Sequence, residues 1–232
     1  MRPHRAFSPV IQEQVELFGP EAKHLLEVLR ARPGDKLTLF DGKGTEATAI
    51  IEAVASGHLW LKVVEKRQAS REPPVPVELY VALLKGDKLS EVVRAATELG
   101  VSKIILIITV HSVAKEMGES KLQRLRRVAV EAAKQSERSL VPLVAGPIPI
   151  SEVPGVKQGL VAHPGTSRLV QEILAPGSPV SLATGPEGGF SDAEVLLLEA
   201  KGFTRVSLGP RILRAETAAI SLVSLVTAGA GV

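Results

Sequence analysis

Apolar and polar residues alternate in the first part of the chain, and the alternation predicts short strands. The stretches LTLFD, TEATAIIEAV and HLWLKVVEK show the two-residue period of half-buried strands, and turn signals separate them. Before them, EAKHLLEVLR predicts a short helix that ends at Pro33 and Gly34. Three strands in so short a segment favour a small, barrel-like β domain over residues 1–68. A polar, proline-rich linker follows over residues 69–76.

Beyond residue 77 the pattern changes to runs that are apolar throughout. VELYVALL and KIILIITV are such runs, as expected for parallel strands that are covered on both faces. Between them, DKLSEVVRAATELG has apolar residues at helical spacing and ends at Gly100, where a C-cap is needed. Further strands are predicted at LVPLV, QGLVAH, PVSLAT and FTRVSLG, and helices at about 120–138, SRLVQEIL, 191–200 and about 215–230. Residues 77–232 are therefore predicted to form an α/β domain with a parallel sheet.

Composition and charge narrow the function classes. The chain has no cysteine, which excludes disulfides and thiolate metal sites, and we expect no metal. Because no apolar run is long enough to cross a bilayer, we expect a cytoplasmic protein without a membrane partner. The net charge is only +3, but residues 121–138 hold six Lys/Arg against two acids, and residues 201–214 hold four against none. Such clusters are typical of phosphate-binding surfaces and also of solvated helix faces. With seven aromatic residues in all, base stacking on aromatic side chains is not expected.

Two loops rich in glycine and proline are the candidate binding elements. GPEGGF (185–190) follows a predicted strand and precedes an S-x-x-E capping box at Ser191 and Glu194. SLGPRILRAET (207–217) has the same strand–loop–helix design. If their strands are neighbours, the loops lie side by side and surround a small flat ligand with backbone groups; each loop alone could be only a turn. The first loop lacks a Walker lysine, and its Glu187 would repel a pyrophosphate but favour a positively charged ligand.

At these loops the chain resembles the bacterial RsmE-like methyltransferases of the SPOUT superfamily, over essentially its whole length. The stretches that carry the resemblance are GPEGGFSDAE (185–194) and LGPRILRAETAA (208–219), supported by KGDKLSEVVRAATELGVSKI (85–104), VAVEAAKQSERSLVP (128–142), HLLEVLR (24–30) and MRPHR (1–5). Two positions depart from the family pattern. Ala215 replaces a usual threonine, and His111 replaces a usual arginine, which leaves the role of that side chain open.

The resemblance implies methylation of uridine N3 in small-subunit (16S) ribosomal RNA, with S-adenosylmethionine (SAM) as cofactor. It implies a SPOUT-like C-terminal domain with a deep trefoil knot and a PUA-like N-terminal β barrel that helps to hold RNA. It also implies a homodimer with the active site at the subunit boundary. SAM carries a sulfonium cation and no phosphate, so Glu187 is tolerable beside it. We assign the cofactor contacts to Thr184, Gly185, Pro186, Glu187, Gly188, Gly189, Leu208, Gly209, Ile212, Leu213 and Ala219.

The chemistry of uracil suggests further roles. Because N3 is protonated at neutral pH, its proton must leave and the charge on O2 or O4 must be stabilised. The uridine must also be flipped out of any helix. We assign charge stabilisation to Arg214 and its orientation to Glu216, and we consider Glu187 and His163 as possible bases. The expected partner is 16S ribosomal RNA or the small ribosomal subunit. We assign the RNA contacts to Arg2, Arg5, Arg30, Arg124, Arg127, Lys134 and Arg138.

Three other functions fit parts of the sequence. A SPOUT enzyme that modifies a different base or transfer RNA would share the loops, but the RILRAETA stretch and the N-terminal barrel argue against it. A non-catalytic RNA-binding assembly factor would not need both loops intact. A generic α/β nucleotide-binding protein is disfavoured by the missing lysine and by Glu187.

Overall fold

The computed structural model describes residues 4–68, 71–175 and 177–229, and the chain forms two compact units. The first unit comprises the residues up to Glu72 together with Ala133–Val141, and the second comprises Pro73–Ala132 and the chain from Pro142 onward. The sequence analysis placed 133–141 in the α/β domain. The periodicity of one long helix could not show that its last residues belong to another unit. Arg2 lies outside the described residues.

The first unit is built on a five-stranded sheet. Its strands are β1 (His4–Phe7), β2 (Gln14–Leu17), β3 (Lys36–Phe40), β4 (Thr45–Ala55) and β5 (His58–Gln68), in the order β1-β3-β4-β5-β2. The three predicted strands are present as β3, β4 and β5. The two additional strands have four residues each, too few for alternation to reveal them. The predicted helix starts as α1 (Gly19–Lys23) and continues as one π-helical turn, His24–Val28.

Alternation along the strands gives this sheet its buried face. Leu37 and Leu39 on β3, Ile51 on β4, and Leu59 and Leu61 on β5 are almost fully buried in one core. Full burial of such a side chain contributes roughly 1.5–3 kcal/mol, so these residues together order the sheet.

A buried carboxylate lies at the centre of this unit. Glu46 on β4 is 7% exposed and accepts hydrogen bonds from Arg5 (2.9 Å), Arg67 (2.8 and 2.9 Å) and Ser139. Burial raises the pKa of Glu46, but the hydrogen bonds from Ser139, Arg67 and Arg5 outweigh it and lower the pKa from 4.5 to about 2. The carboxylate is therefore charged, and it joins β4 to β1, β5 and the 133–141 segment.

Three of the expected RNA contacts are occupied inside this unit. Arg5 binds Glu46 and also donates to the Arg138 carbonyl oxygen at 2.9 Å. Arg138 is 3% exposed and pairs with Glu72 at 2.6 Å, and Lys134 pairs with Glu21 at 2.9 Å. These contacts hold segment 133–141 within the first unit. Contact of Arg5, Lys134 and Arg138 with RNA stays a prediction.

The second unit is a six-stranded, wholly parallel sheet with helices. The strand order is β11-β9-β10-β6-β7-β8. Its elements are β6 (Val77–Ala82), α2 (Lys88–Glu98), β7 (Lys103–Ile108), α3 (Glu119–Gln135), β8 (Leu143–Pro149), β9 (Gly159–Ala162), α4 (Val170–Ile173), β10 (Val180–Thr184), α5 (Asp192–Ala200), β11 (Phe203–Val206) and α6 (Ala215–Gly229). The last three residues of α3 belong to the first unit. The strands and helices predicted beyond residue 77 are present, except that the strand expected at LVPLV (140–144) begins only at Leu143, as β8. The last helix, α6, packs against α2, α4 and β10; the trefoil knot stays a prediction.

Parallel strands place their carboxyl ends at one edge of the sheet. β6, β9, β10 and β11 are adjacent in the sheet order, so the loops that follow them emerge together at that edge. No helix in the described ranges is long and apolar enough to cross a membrane.

Replacement of Glu46 by Gln should destabilise the first unit. The change leaves Arg5 buried without a countercharge, which we expect to cost about 2 kcal/mol at pH 7. Because the folded-state pKa is depressed, the stabilisation is complete above pH 4.5 and is lost as the pH falls toward about 2.

Urea unfolding of Glu46→Gln and of wild type across this pH range measures the effect. Glu52→Gln, an exposed change on the same strand, is the control and should be nearly neutral. Equal stability of wild type and Glu46→Gln at pH 7 would contradict the assignment.

Candidate active site

A cavity of about 590 Å³ lies at the carboxyl edge of the parallel sheet. The loops after β10 and β11 form most of its wall, and the end of β9 and Lys88 of α2 complete it. The predicted residues that line it are Thr184, Gly185, Pro186, Glu187, Gly188, Gly189, Leu208, Gly209, Ile212, Leu213 and Arg214. These residues, from two separate loops, therefore line one continuous cavity.

One residue predicted to contact the cofactor does not line the cavity. Ala219 is fully buried and does not line the cavity, whereas Ala218 does. On a helix, consecutive residues point about 100° apart, and the sequence did not show which alanine of α6 faces the loops.

The two loops meet although their strands are not neighbours. β9 lies between β10 and β11 in the sheet, so the expected condition of adjacent strands is not met. The loops close over the end of β9 instead, and Ala162, His163 and Pro164 contribute the floor between them.

The first loop turns so tightly that it excludes a side chain at Gly185. A Cβ there would lie 3.0 Å from the Phe190 nitrogen and 3.1 Å from the Gly189 carbonyl carbon. The turn is closed by a 2.9 Å hydrogen bond from the Gly189 nitrogen to the Pro186 oxygen. The residues after it are fixed by the predicted capping box of α5, in which Ser191 and Glu194 bind each other's backbone N–H groups. The capping-box prediction is confirmed.

The loop after β7 packs against this turn. The buried Glu194 also accepts a 2.7 Å hydrogen bond from the Val110 nitrogen. His111 lies next to Gly188, where a Cβ would come within 3.1 Å of the His111 Cβ, and its Nδ1 is 3.1 Å from the Gly189 oxygen. His111, whose role the sequence left open, therefore supports the glycine turn.

Lys88 supplies the positive charge that the first loop lacks. Its ammonium group lies 3.0 Å from Glu187 and 3.3 Å from Glu216. The hydrogen bond to Glu187, together with the contact to Glu216, raises the pKa of Lys88 above its usual value. Burial raises the pKa of Glu187, but hydrogen bonds from the Lys88 side chain and the Lys85 nitrogen outweigh it and lower the pKa. We call Lys88, Glu187 and Glu216 together the Lys88 clasp.

The clasp corrects the role expected for Glu216. This residue is 7% exposed in the first turn of α6, and its carboxylate faces Lys88. Arg214 is exposed at the cavity wall, and its side chain has no hydrogen bond or ion pair to any residue that the structure describes. Glu216 therefore does not orient Arg214, and the guanidinium group is free to bind a ligand. The sequence did not reveal Lys88, because the clasp joins residues 99 positions or more apart.

Within the described ranges, no group of His, Asp and Glu side chains could hold a metal ion. The cavity is instead a site for a small organic molecule: its walls are glycine backbone and aliphatic side chains, with a few convergent charges.

Comparisons with known proteins identify the class. A family model described as an RNA methyltransferase domain matches residues 71–227, and one described as an RNA methyltransferase PUA domain matches residues 19–64. The ribosomal RNA small subunit methyltransferase E of Synechocystis is 37% identical over 222 residues, 90% of this chain and 71% of that protein. Its Bacillus subtilis counterpart is 30% identical and covers 96% of this chain and 95% of that protein.

Solved structures agree with the sequence relatives. A Legionella pneumophila methyltransferase with bound SAM superposes with a TM-score of 0.91 at 32% identity, over 98% of both chains. The SAM-bound methyltransferase E of Neisseria gonorrhoeae superposes with a TM-score of 0.89 at 27% identity, over 97% of this chain and 96% of that one. The fold is that of a SPOUT RNA methyltransferase with a PUA-like N-terminal domain. The chain belongs to the ribosomal RNA small subunit methyltransferase E family, which confirms the resemblance drawn from the two loops.

Replacement of Gly185 by Ala should distort the first loop. The added Cβ would be pressed against backbone atoms that cannot rotate away, and we expect a loss of about 1–3 kcal/mol. Thermal unfolding of Gly185→Ala beside Gly155→Ala measures it. Gly155 is exposed, and a Cβ there meets only one atom, at an ordinary 3.9 Å. If both variants unfold at the wild-type temperature, the loop is looser than the structure shows.

Proposed function

We propose that this protein transfers a methyl group from SAM to N3 of a uridine in 16S ribosomal RNA. The observation that carries the proposal is the single cavity that two glycine-rich loops form with Arg214 at its wall. The family relationship supports the reaction class, since the relatives are methyltransferases of small-subunit ribosomal RNA.

The residues of the cavity fit SAM. A volume of about 590 Å³ is within the range of drug-sized ligand sites, and the glycines expose backbone N–H and C=O groups to it. The hydroxyl oxygen of Thr184 is buried at the cavity without a hydrogen-bond partner among the described residues, which leaves it available to a polar ligand atom. The Lys88 clasp, with two carboxylates and one ammonium group, has a net negative charge that suits a cation.

We assign cofactor contacts to the backbone of Gly185–Gly189, Leu208 and Gly209, with Ile212 and Leu213 packing against the apolar parts. Ile212 is 86% exposed in this structure, as expected for a side chain that a ligand or partner covers. When bound, SAM supplies an activated methyl group on a positively charged sulfur.

Arg214 acts on the uracil. Loss of the N3 proton places negative charge on O2 and O4, and an unpaired guanidinium group at the cavity wall can donate hydrogen bonds to it. No hydrogen bond or ion pair to the described residues holds its side chain elsewhere.

The two candidate bases are poorly suited to remove the proton. Glu187 is bound by Lys88 and has a lowered pKa, which weakens it as a base. His163 lines the cavity, but its Nδ1 accepts a 3.2 Å hydrogen bond from the Gly165 nitrogen, so in the neutral ring Nε2 carries the hydrogen. We therefore propose that the N3 proton passes to water while Arg214 stabilises the uracil anion.

RNA is held, in this proposal, by the basic residues that remain exposed. They are Arg30 in the first unit and Arg124 and Arg127 on α3, of which Arg124 also pairs with Asp87 at 2.6 Å. A ribosomal substrate places the enzyme in the cytoplasm. We also propose a homodimer, supported by the exposed apolar side chains Val110, Val113 and Ile212 of the second unit.

The nucleoside product tests the proposed function. Small ribosomal subunits from a strain that lacks the enzyme, incubated with this protein and SAM, should gain one 3-methyluridine by mass spectrometry of digested RNA. A different methylated nucleoside, or methylation of transfer RNA alone, would favour the other SPOUT reactions. No incorporation despite SAM binding would favour the non-catalytic assembly factor.

Arg214→Ala should slow methyl transfer without weakening SAM binding. Loss of a donor to developing charge is expected to reduce the single-turnover rate about 10²–10³-fold. Arg94→Ala removes the same charge from an exposed position on α2 and should leave the rate unchanged. Calorimetry measures the SAM affinity of both variants. If the methyl-transfer rate of Arg214→Ala is within a few-fold of the wild-type rate, Arg214 has no role in the mechanism.

Arg127→Ala should reduce the salt dependence of RNA binding. Each phosphate contact contributes about one unit to the slope of log affinity against log salt concentration, so the slope should fall by about one. Arg94→Ala again serves as the charge-matched control. Identical slopes for the two variants and wild type would show that α3 does not face RNA.

A further inference from the structure

Three rings from two separate places in the sequence form an exposed row on the first unit. The ring of His58 lies 5.9 Å from Phe18 on one side and 5.9 Å from Trp60 on the other, with interplanar angles of 27° and 20°. Phe18 is 65% exposed and Trp60 38% exposed. We call these three residues the aromatic row. A chain with only seven Phe, Tyr and Trp residues thus places two of them, with a histidine, together in solvent.

The row is held in place by the sheet. His58 and Trp60 alternate with the buried Leu59 and Leu61 on β5, so their side chains share its outer face. The carboxylate of Glu16, which pairs with Trp60 across the β2–β5 ladder, accepts a 2.7 Å hydrogen bond from His58 Nδ1. This contact fixes the plane of the imidazole between the other two rings.

Two lysines extend the same face. Lys62 follows Trp60 by two residues on β5, so its side chain is on the same face. Across the sheet, Lys62 is paired with Ile50 of β4, and Ile50 is paired with Lys36 of β3. Both lysines are exposed and have no ion pair or hydrogen bond to the described residues. The outer face therefore carries stacked rings beside unpaired positive charges, the combination that binds single-stranded nucleic acid through bases and phosphates.

We propose that the aromatic row is a stacking site for unpaired nucleobases of RNA, with Lys36 and Lys62 contacting the adjacent phosphates. This inference rests on the proposed function, because the substrate is then an RNA whose target base is not paired. From composition we expected no base stacking on aromatic side chains, and this proposal departs from that expectation. The chain has few aromatic residues, but the fold places the exposed Phe18 and Trp60 beside His58. The match of residues 19–64 to an RNA methyltransferase PUA domain favours RNA over a protein partner.

Trp60 provides the probe, since it is the chain's only tryptophan. Titration of the full-length protein with a short single-stranded oligoadenylate should quench Trp60 fluorescence to saturation. An abasic oligonucleotide of equal length and charge should bind more weakly and leave the fluorescence unchanged. Equal quenching by both, or by neither, would overturn the stacking site.

Affinity for labelled single-stranded RNA, measured by anisotropy, tests the individual rings. Phe18→Ala and Trp60→Ala should each weaken binding about tenfold, the usual effect of removing one stacking partner. Val64→Ala, a change of an exposed apolar residue on the same strand, is the control and should have no effect. Unchanged affinity in Phe18→Ala and Trp60→Ala would refute the proposal. A Phe18→Ala effect on sedimentation without RNA would assign this face to a second copy instead.

Methylation assays on the same preparations separate this proposal from the proposed function. If the wild-type protein forms 3-methyluridine but the ring variants bind RNA normally, the proposal for the aromatic row is wrong and the proposed function stands. If quenching depends on the bases and the ring variants bind RNA more weakly, but the wild-type protein forms no 3-methyluridine, the proposed function is wrong and the stacking site stands.

Discussion

The ammonium group of Lys88 holds the cavity together. It stands between Glu187 of the first glycine loop and Glu216 of the last helix, so that α2, the loop and α6 are joined at one charge. Without it, two carboxylates would face each other at the edge of a ligand site, and their repulsion would separate the loop from the helix. The same contact explains how a loop with an acidic residue and no lysine can line a cavity: the positive charge beside Glu187 comes from a distant helix.

The parallel sheet makes this arrangement possible. Because its strands all run in one direction, the loops after β6, β9, β10 and β11 emerge at the same edge. His111 packs against the glycine turn at Gly188, and the capping box of α5 fixes the residues that follow the turn. The backbone of the loop is thus ordered before any ligand arrives, which reduces the entropy that binding must overcome.

Much of this could be predicted from sequence, and the limits have physical causes. The strands and helices of the second unit follow from long apolar runs and helical periodicity, and the two loops from glycine, proline and a capping box. The short strands β1 and β2 and the transfer of residues 133–141 to the first unit depend on tertiary pairing, as in Glu46 with Arg5 and Ser139. The same is true of Lys88 in the site and of Arg138, whose ion pair with Glu72 no local pattern could reveal. Local patterns contain no information about which distant residue completes an ion pair.

We propose that the two glycine-rich loops form one pocket for the methyl donor. A crystal structure of the protein with SAM tests this arrangement directly. We expect electron density for SAM between residues 185–189 and 208–213, bound mainly through backbone atoms and with the Lys88 clasp intact. Density for SAM at any other place, or loops that lie apart in the complex, would contradict it.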